Sequence, residues 1–172
     1  IKPTVTFGDE LKINISGIEI ELYHAPGETN DQLFAWLPKQ KALMPGDNIY
    51  RTFPNLYTIR GTPHRDVKSW IRSLDHMRTL EPEYLLPSHT KPLIGSDVME
   101  TLTIYRDAIQ YVHDQTIRLM NKVYSADEIS NLIELPSEVS KSPFVREFYG
   151  TIRWSVKSIF NGYLGWFDGN VS

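Results

Sequence analysis

Three side chains able to bind a hard or borderline cation stand just past short apolar segments. They are Glu28 in His24-Ala25-Pro26-Gly27-Glu28, Asp47 after Pro45-Gly46, and His89 in Pro87-Ser88-His89-Thr90. A carboxylate or imidazole at a strand end lies outside the ladder and can turn toward an ion, and this donor set suits zinc. Each residue alone is commonplace. Asp and Glu at turns bond to the neighbouring backbone, and an isolated His after a strand is ordinarily a hydrogen-bonded structural residue. The chain has no cysteine, so any metal must be held by imidazole and carboxylate.

A second group of reactive residues sits in GDNIYRTFPNLYTIRGTPHRD, which begins at Gly46. Asn55, Arg60, His64 and Arg65 surround an apolar, aromatic piece (Leu56, Tyr57, Ile59) that is expected to be a short strand. A guanidinium is a planar donor fork that grips a tetrahedral oxyanion at two points. Arg60 and Arg65 with Asn55 therefore read as a site for a sulfate or phosphate group. The plainer alternative is a surface loop whose arginines pair with nearby acids.

The elements that must position these residues follow from periodicity. Thr4–Phe7, Leu11–Ile15 and Ile18–Leu22 alternate apolar and polar side chains as half-buried strands do, with Gly8-Asp9-Glu10 and Ser16-Gly17 as turns. Leu33–Leu37 and Ala42–Met44 are predicted strands separated by a turn at Pro38–Lys41. Arg65–Thr79 has helical spacing, with Val67, Trp70, Ile71 and Leu74 on one face, and Tyr84–Leu86 is a short buried strand.

From Val98 the pattern is helical. Leu102, Tyr105, Ile109, Val112, Thr116, Leu119 and Val123 form one stripe, widened by Ile104, Ala108, Tyr111 and Met120. Ser96 or Asp97 is expected to cap this helix. Such a stripe serves either a packed helical layer or a contact with a second subunit. Ser125-x-x-Glu128 is a capping box that opens a short helix through Ile133. Thr151–Phe160 is predicted helical, ending at Asn161-Gly162, and the tail from Tyr163 to Asn170 is dense in aromatics and glycine.

At 172 residues the chain suffices for one domain with an appendage, and 41% hydrophobic residues give it a core to bury. A net charge of −3 argues against a general nucleic-acid surface. No apolar run approaches the ~20 residues of a membrane span. Beginning at Ile1, the chain is expected to be a processed product or a fragment.

Pro26-Gly27-Glu28, NLYTIRGTPHRD, Ser88-His89, HDQTIRLMN and the distant YGT…YLGWFDGN together resemble the alkylsulfatases of the metallo-β-lactamase superfamily. The resemblance runs from about His24 to Asn170. It implies an α+β fold: residues 1–94 as the second half of a metallo-β-lactamase αββα sandwich, and 95–172 as an all-helical dimerisation region. The family holds a zinc pair with H-x-H-x-D-H from the first half plus two acids and a His from the second. By position, Glu28 is an expected ligand of one zinc, His89 of the other, and Asp47 a bridging or supporting acid. Asn55, Arg60 and Arg65 are expected to cradle the sulfate, and a zinc-bound hydroxide to act as nucleophile or base.

Three departures stand out. H-x-H-x-D-H is absent from this sequence, so the missing N-terminal half is an expected partner and the chain by itself is expected to be inactive. Asp47 occupies a position where the family carries Glu. Trp154, in GTIRWSVK, fills a slot where some relatives place a His able to protonate the leaving alcohol. The expected function is thus part of a zinc-dependent hydrolase of alkyl sulfates, homodimeric and periplasmic or secreted. Alternatives are a superfamily hydrolase of another anionic ester, or a non-catalytic half-domain acting in assembly.

Overall fold

The computed structural model describes residues 2–58 and 64–165 and is α+β. The chain forms two compact units, Ile1–Tyr50 with Lys68–Thr103 and Arg51–Val67 with Ile104–Ser172. No described helix is long and apolar enough to cross a membrane.

The first unit is built on a six-stranded sheet in sequential order: β1 (Glu10–Ile15), β2 (Ile18–His24), β3 (Leu33–Leu37), β4 (Ala42–Met44), β5 (Tyr84–Leu85) and β6 (Leu93–Ile94). All neighbours are antiparallel except β4 and β5, which are parallel, with Ala42 opposite Tyr84 and Leu43 opposite Leu85. Helix α1 (Val67–Thr79) supplies the crossover that a parallel pair requires. Trp70, Leu74 and Met77 are fully buried on it, and His76 stands edge-on to Tyr23 and Phe34, cross-strand partners on one sheet face.

Helix α2 (Ser96–Met120) begins the helical part of the chain. In the second unit, α3 (Ala126–Leu132) opens with the expected capping box: Ser125 and Glu128 satisfy each other's backbone N–H groups. The short α4 (Ser137–Ser140) follows, and α5 (Ile152–Leu164) is capped by the Thr151 side chain.

Several expectations need correction. Thr4–Phe7 is not a strand; Pro3 and Gly8 flank it and no neighbouring strand among the described residues supplies a ladder. Residues 56–58 are not a strand either, and Ile59 lies outside the described residues. Ser96 and Asp97 are the first residues within α2, not caps before it. That helix stops at Met120, so Val123 falls off the stripe and is 91% exposed. The remaining main stripe residues, Leu102 to Leu119, are buried within this chain, which makes them ordinary core. Helix α5 continues through Gly162, against whose bare backbone the His64 ring lies.

Candidate metal and anion sites

Sheet direction explains why three distant donors belong together. Strands β2 and β4 each run antiparallel to β3, and β5 runs parallel to β4. Their C-terminal ends therefore share one edge of the sheet. Glu28 follows β2, Asp47 follows β4 and His89 follows β5.

Asp47 lies in a 3-10 turn at Gly46–Asn48. Its Oδ1 is buried and has no hydrogen-bond partner among the described residues, yet it stands 3.3 Å from His89 Nε2 without hydrogen-bond geometry. Two donors each ~2.0–2.1 Å from a tetrahedral ion stand roughly 3.3 Å apart. The pair thus has the spacing of two corners of a zinc site. No set of three or more His, Asp or Glu among the described residues is close enough to hold a metal. The structure therefore brings Asp47 and His89 together and places Glu28 on the neighbouring turn. The donors fit as part of a metal site.

Asn48, which sequence reasoning passed over, fixes that neighbouring turn. It is fully buried, donates from Nδ2 to Ala25 O at 2.8 Å, and accepts the Glu28 N–H at Oδ1 at 3.3 Å. Trp70 Nε1 donates to Asn48 O at 3.1 Å, and Ser73 donates to Pro26 O at 2.8 Å. The turn bearing Glu28 is thereby tied to the turn bearing Asp47 and to α1.

The anion residues lie in the second unit. Asn55 is buried, and Arg65 Nη1 donates to its carbonyl oxygen, so these two residues are joined. Arg60 lies outside the described residues. The backbone around Asn55 is held by the segment before α5: Phe53 N–H donates to Arg146 O and Gly150 N–H to Phe53 O. A Cβ on Gly150 would lie 2.1 Å from Pro54 O, so only glycine allows this approach. Trp154 stands edge-on to Tyr57 at 5.3 Å, and both line a cavity of about 380 Å³ with His64, Lys157 and Asn161. The slot lacking a His is thus an aromatic wall with an imidazole in the same cavity. Burial holds His64 below its ordinary imidazole value despite the nearby Asp66.

Residues 1–89 match the family model of the metallo-beta-lactamase superfamily, and residues 125–172 match that of alkyl sulfatase dimerisation. The chain belongs to the metallo-beta-lactamase superfamily. Membership implies a bound metal, and the Asp47–His89 spacing agrees with one. The chain is 40% identical over 99% of its length to a linear primary-alkylsulfatase of Pseudomonas sp. (strain ATCC 19151), covering 33% of that protein. It is 30% identical to the alkyl/aryl-sulfatase BDS1 of Saccharomyces cerevisiae, covering 99% of this chain and 27% of the relative. The stereoselective inverting sec-alkylsulfatase Pisa1 from Pseudomonas sp. superposes with a TM-score of 0.89 at 28% identity, over 98% of this chain and 28% of that one. The chain thus spans between about a quarter and a third of the length of these relatives.

Proposed function

We propose that this chain carries the second-half metal donors and the anion cradle of a zinc-dependent alkyl sulfatase, which hydrolyses an alkyl sulfate ester to alcohol and inorganic sulfate. The observation that supports it most is the buried Asp47 Oδ1, without a hydrogen-bond partner among the described residues, at zinc-ligand spacing from His89 Nε2. Glu28 completes the chain's donors, and a partner region bearing H-x-H-x-D-H supplies the rest. Zinc bound there would supply Lewis acidity for attack on the ester. Asn55, Arg60 and Arg65 bind and orient the sulfate, whose tetrahedral oxygens suit guanidinium and amide donors. His64, which lines the Tyr57–Trp154 cavity, would serve the leaving alcohol.

Turnover of dodecyl sulfate beside an alkyl phosphate ester, by the complete enzyme, is the test. The reading expects preferred hydrolysis of the sulfate, and an Arg60→Ala variant with strongly raised KM. Preferred hydrolysis of the phosphate transfers the site to another anionic ester. No turnover of either leaves the chain as a non-catalytic assembly module.

A further inference from the structure

One cluster of titratable groups in the second unit is used by neither the metal donors nor the anion cradle. His113 is buried on α2, 7% exposed. Its Nδ1 stands 2.8 Å from Asp114 Oδ1 and its Nε2 stands 2.9 Å from the Tyr163 hydroxyl on α5. An ionised carboxylate only accepts, so Nδ1 carries the proton. In the neutral ring Nε2 is then an acceptor, and Tyr163 donates to it.

Tyr163 and His113 also line a cavity of about 210 Å³ with His64, Asp66, Ile159 and Gly162. Gly162 is what admits His64 here, since a Cβ at that position would lie 2.2 Å from the imidazole. Among the described residues, the titratable groups bonded to His113 or lining this cavity with it are Asp114 on its own helix, Tyr163 on α5, and His64 and Asp66 across the cavity. Partial desolvation, reinforced by the charges of Asp66 and Asp114, holds the phenol of the half-exposed Tyr163 above its ordinary value, so it stays protonated at neutral pH.

We propose that Tyr163 and His113 form a proton relay for this cavity, with Asp114 as the positioning residue that fixes the His113 tautomer. A proton arriving in the cavity bonds to Tyr163 Oη as the phenol's own proton passes to His113 Nε2. The old Oη–H bond breaks as Nε2–H forms, leaving an intact tyrosine and an imidazolium facing the Asp114 carboxylate. Reversal of the two transfers returns the proton to water. The relay rests on the hydrolase reading: hydrolysis of a sulfate ester at neutral pH yields alcohol, sulfate and one proton, and that proton needs an acceptor.

Nitrogen-resolved imidazole NMR on the 172-residue chain tests the geometry. Neutral His113 is expected as the Nδ1–H tautomer, and Tyr163→Phe is expected to shift the Nε2 resonance as its hydrogen bond is lost. An Nε2–H tautomer overturns the relay. In the complete enzyme, His113→Gln keeps a polar group facing Tyr163 but takes up no proton. The relay predicts kcat lower by roughly a hundredfold, unchanged KM, and loss of the acid limb of the pH profile. Tyr163→Phe, a change with little effect on packing, is expected to do the same. Parental rates and pH profile in both variants overturn the proposal and leave a structural tether. Failure of the parent enzyme to cleave alkyl sulfates sinks the hydrolase reading instead, while the NMR result still decides the hydrogen bonds of the relay.

Discussion

A single buried amide, Asn48, connects the turns that carry Glu28 and Asp47. Replacing it by Ala leaves the Ala25 carbonyl and the Glu28 N–H in the interior without their partner. Each such loss costs about 1–3 kcal/mol. Asn48→Ala is therefore expected to lower Tm clearly in thermal denaturation, and a Tm equal to the parent's contradicts the clasp. Nothing in the local sequence marks this role. Asn48 follows Asp47 in an ordinary Pro-Gly-Asp-Asn turn, and its partners lie 20 and 23 residues away. The types of Glu28, Asp47 and His89, by contrast, were legible, because each ends an apolar run. Their convergence was not, since it depends on the direction of strand pairing.

At the scale of elements, the β1–β2 ribbon carries a polar triad. Glu21 accepts from Lys12 Nζ at 2.8 Å and from the Tyr23 hydroxyl at 2.7 Å. The Lys12 and Tyr23 hydrogen bonds pull the Glu21 carboxyl below its usual range, while the bond to Glu21 pushes the Tyr23 phenol up to about 12. The two signs differ. A lowered carboxylate stabilises the fold above its unfolded value of about 4.3, and that stabilisation is lost as pH falls below this toward the lowered folded value. A raised phenol keeps its proton in the fold while the unfolded chain loses it, so stability also declines from about pH 10 upward. Denaturation across pH should show both declines, and Tyr23→Phe should make the alkaline one shallower, the raised Tyr57 and Tyr163 phenols supplying what remains. An unchanged alkaline decline in that variant contradicts the assignment.

The end of α2 gives a second element-level prediction. Tyr124 N–H donates to Leu119 O and Val123 N–H to Met120 O, with Val123 at φ 66°. This is the left-handed termination that glycine favours, filled here by a β-branched residue. Because its side chain is exposed, Val123→Gly removes strain of about 1–2 kcal/mol and little packing, against a smaller entropic cost. Tm should rise by a few degrees; a fall contradicts it. Periodicity showed where this helix lies but not where it stops, because no glycine marks the end. It showed β1 to β4 well, through alternation and Gly or Pro turns. It missed β6, whose two residues carry no period.

For the whole molecule, the match to alkyl sulfatase dimerisation at 125–172 agrees with apolar side chains left exposed in that region. Phe148, Trp154 and Leu164 are each more than half exposed, and apolar surface of this kind is available for a partner to cover. Light scattering is expected to give about twice the 19.9 kDa chain mass, and a clean monomer at tens of micromolar contradicts dimerisation.

In the proposed enzyme this chain supplies one share of a zinc site whose other share is H-x-H-x-D-H. Zinc calorimetry decides this, on the chain alone and after the H-x-H-x-D-H region is supplied in one polypeptide or as a separate piece. Alone, Asp47 and His89 fall short of the roughly three protein ligands a catalytic zinc needs, so weak binding and no hydrolysis of dodecyl sulfate are predicted. With the other region present, about two zinc ions should bind tightly and turnover should appear, both lost in Asp47→Ala and His89→Ala. Tight binding of about two zinc ions by the chain alone, with turnover of dodecyl sulfate, or a complemented site indifferent to both substitutions, would contradict the account.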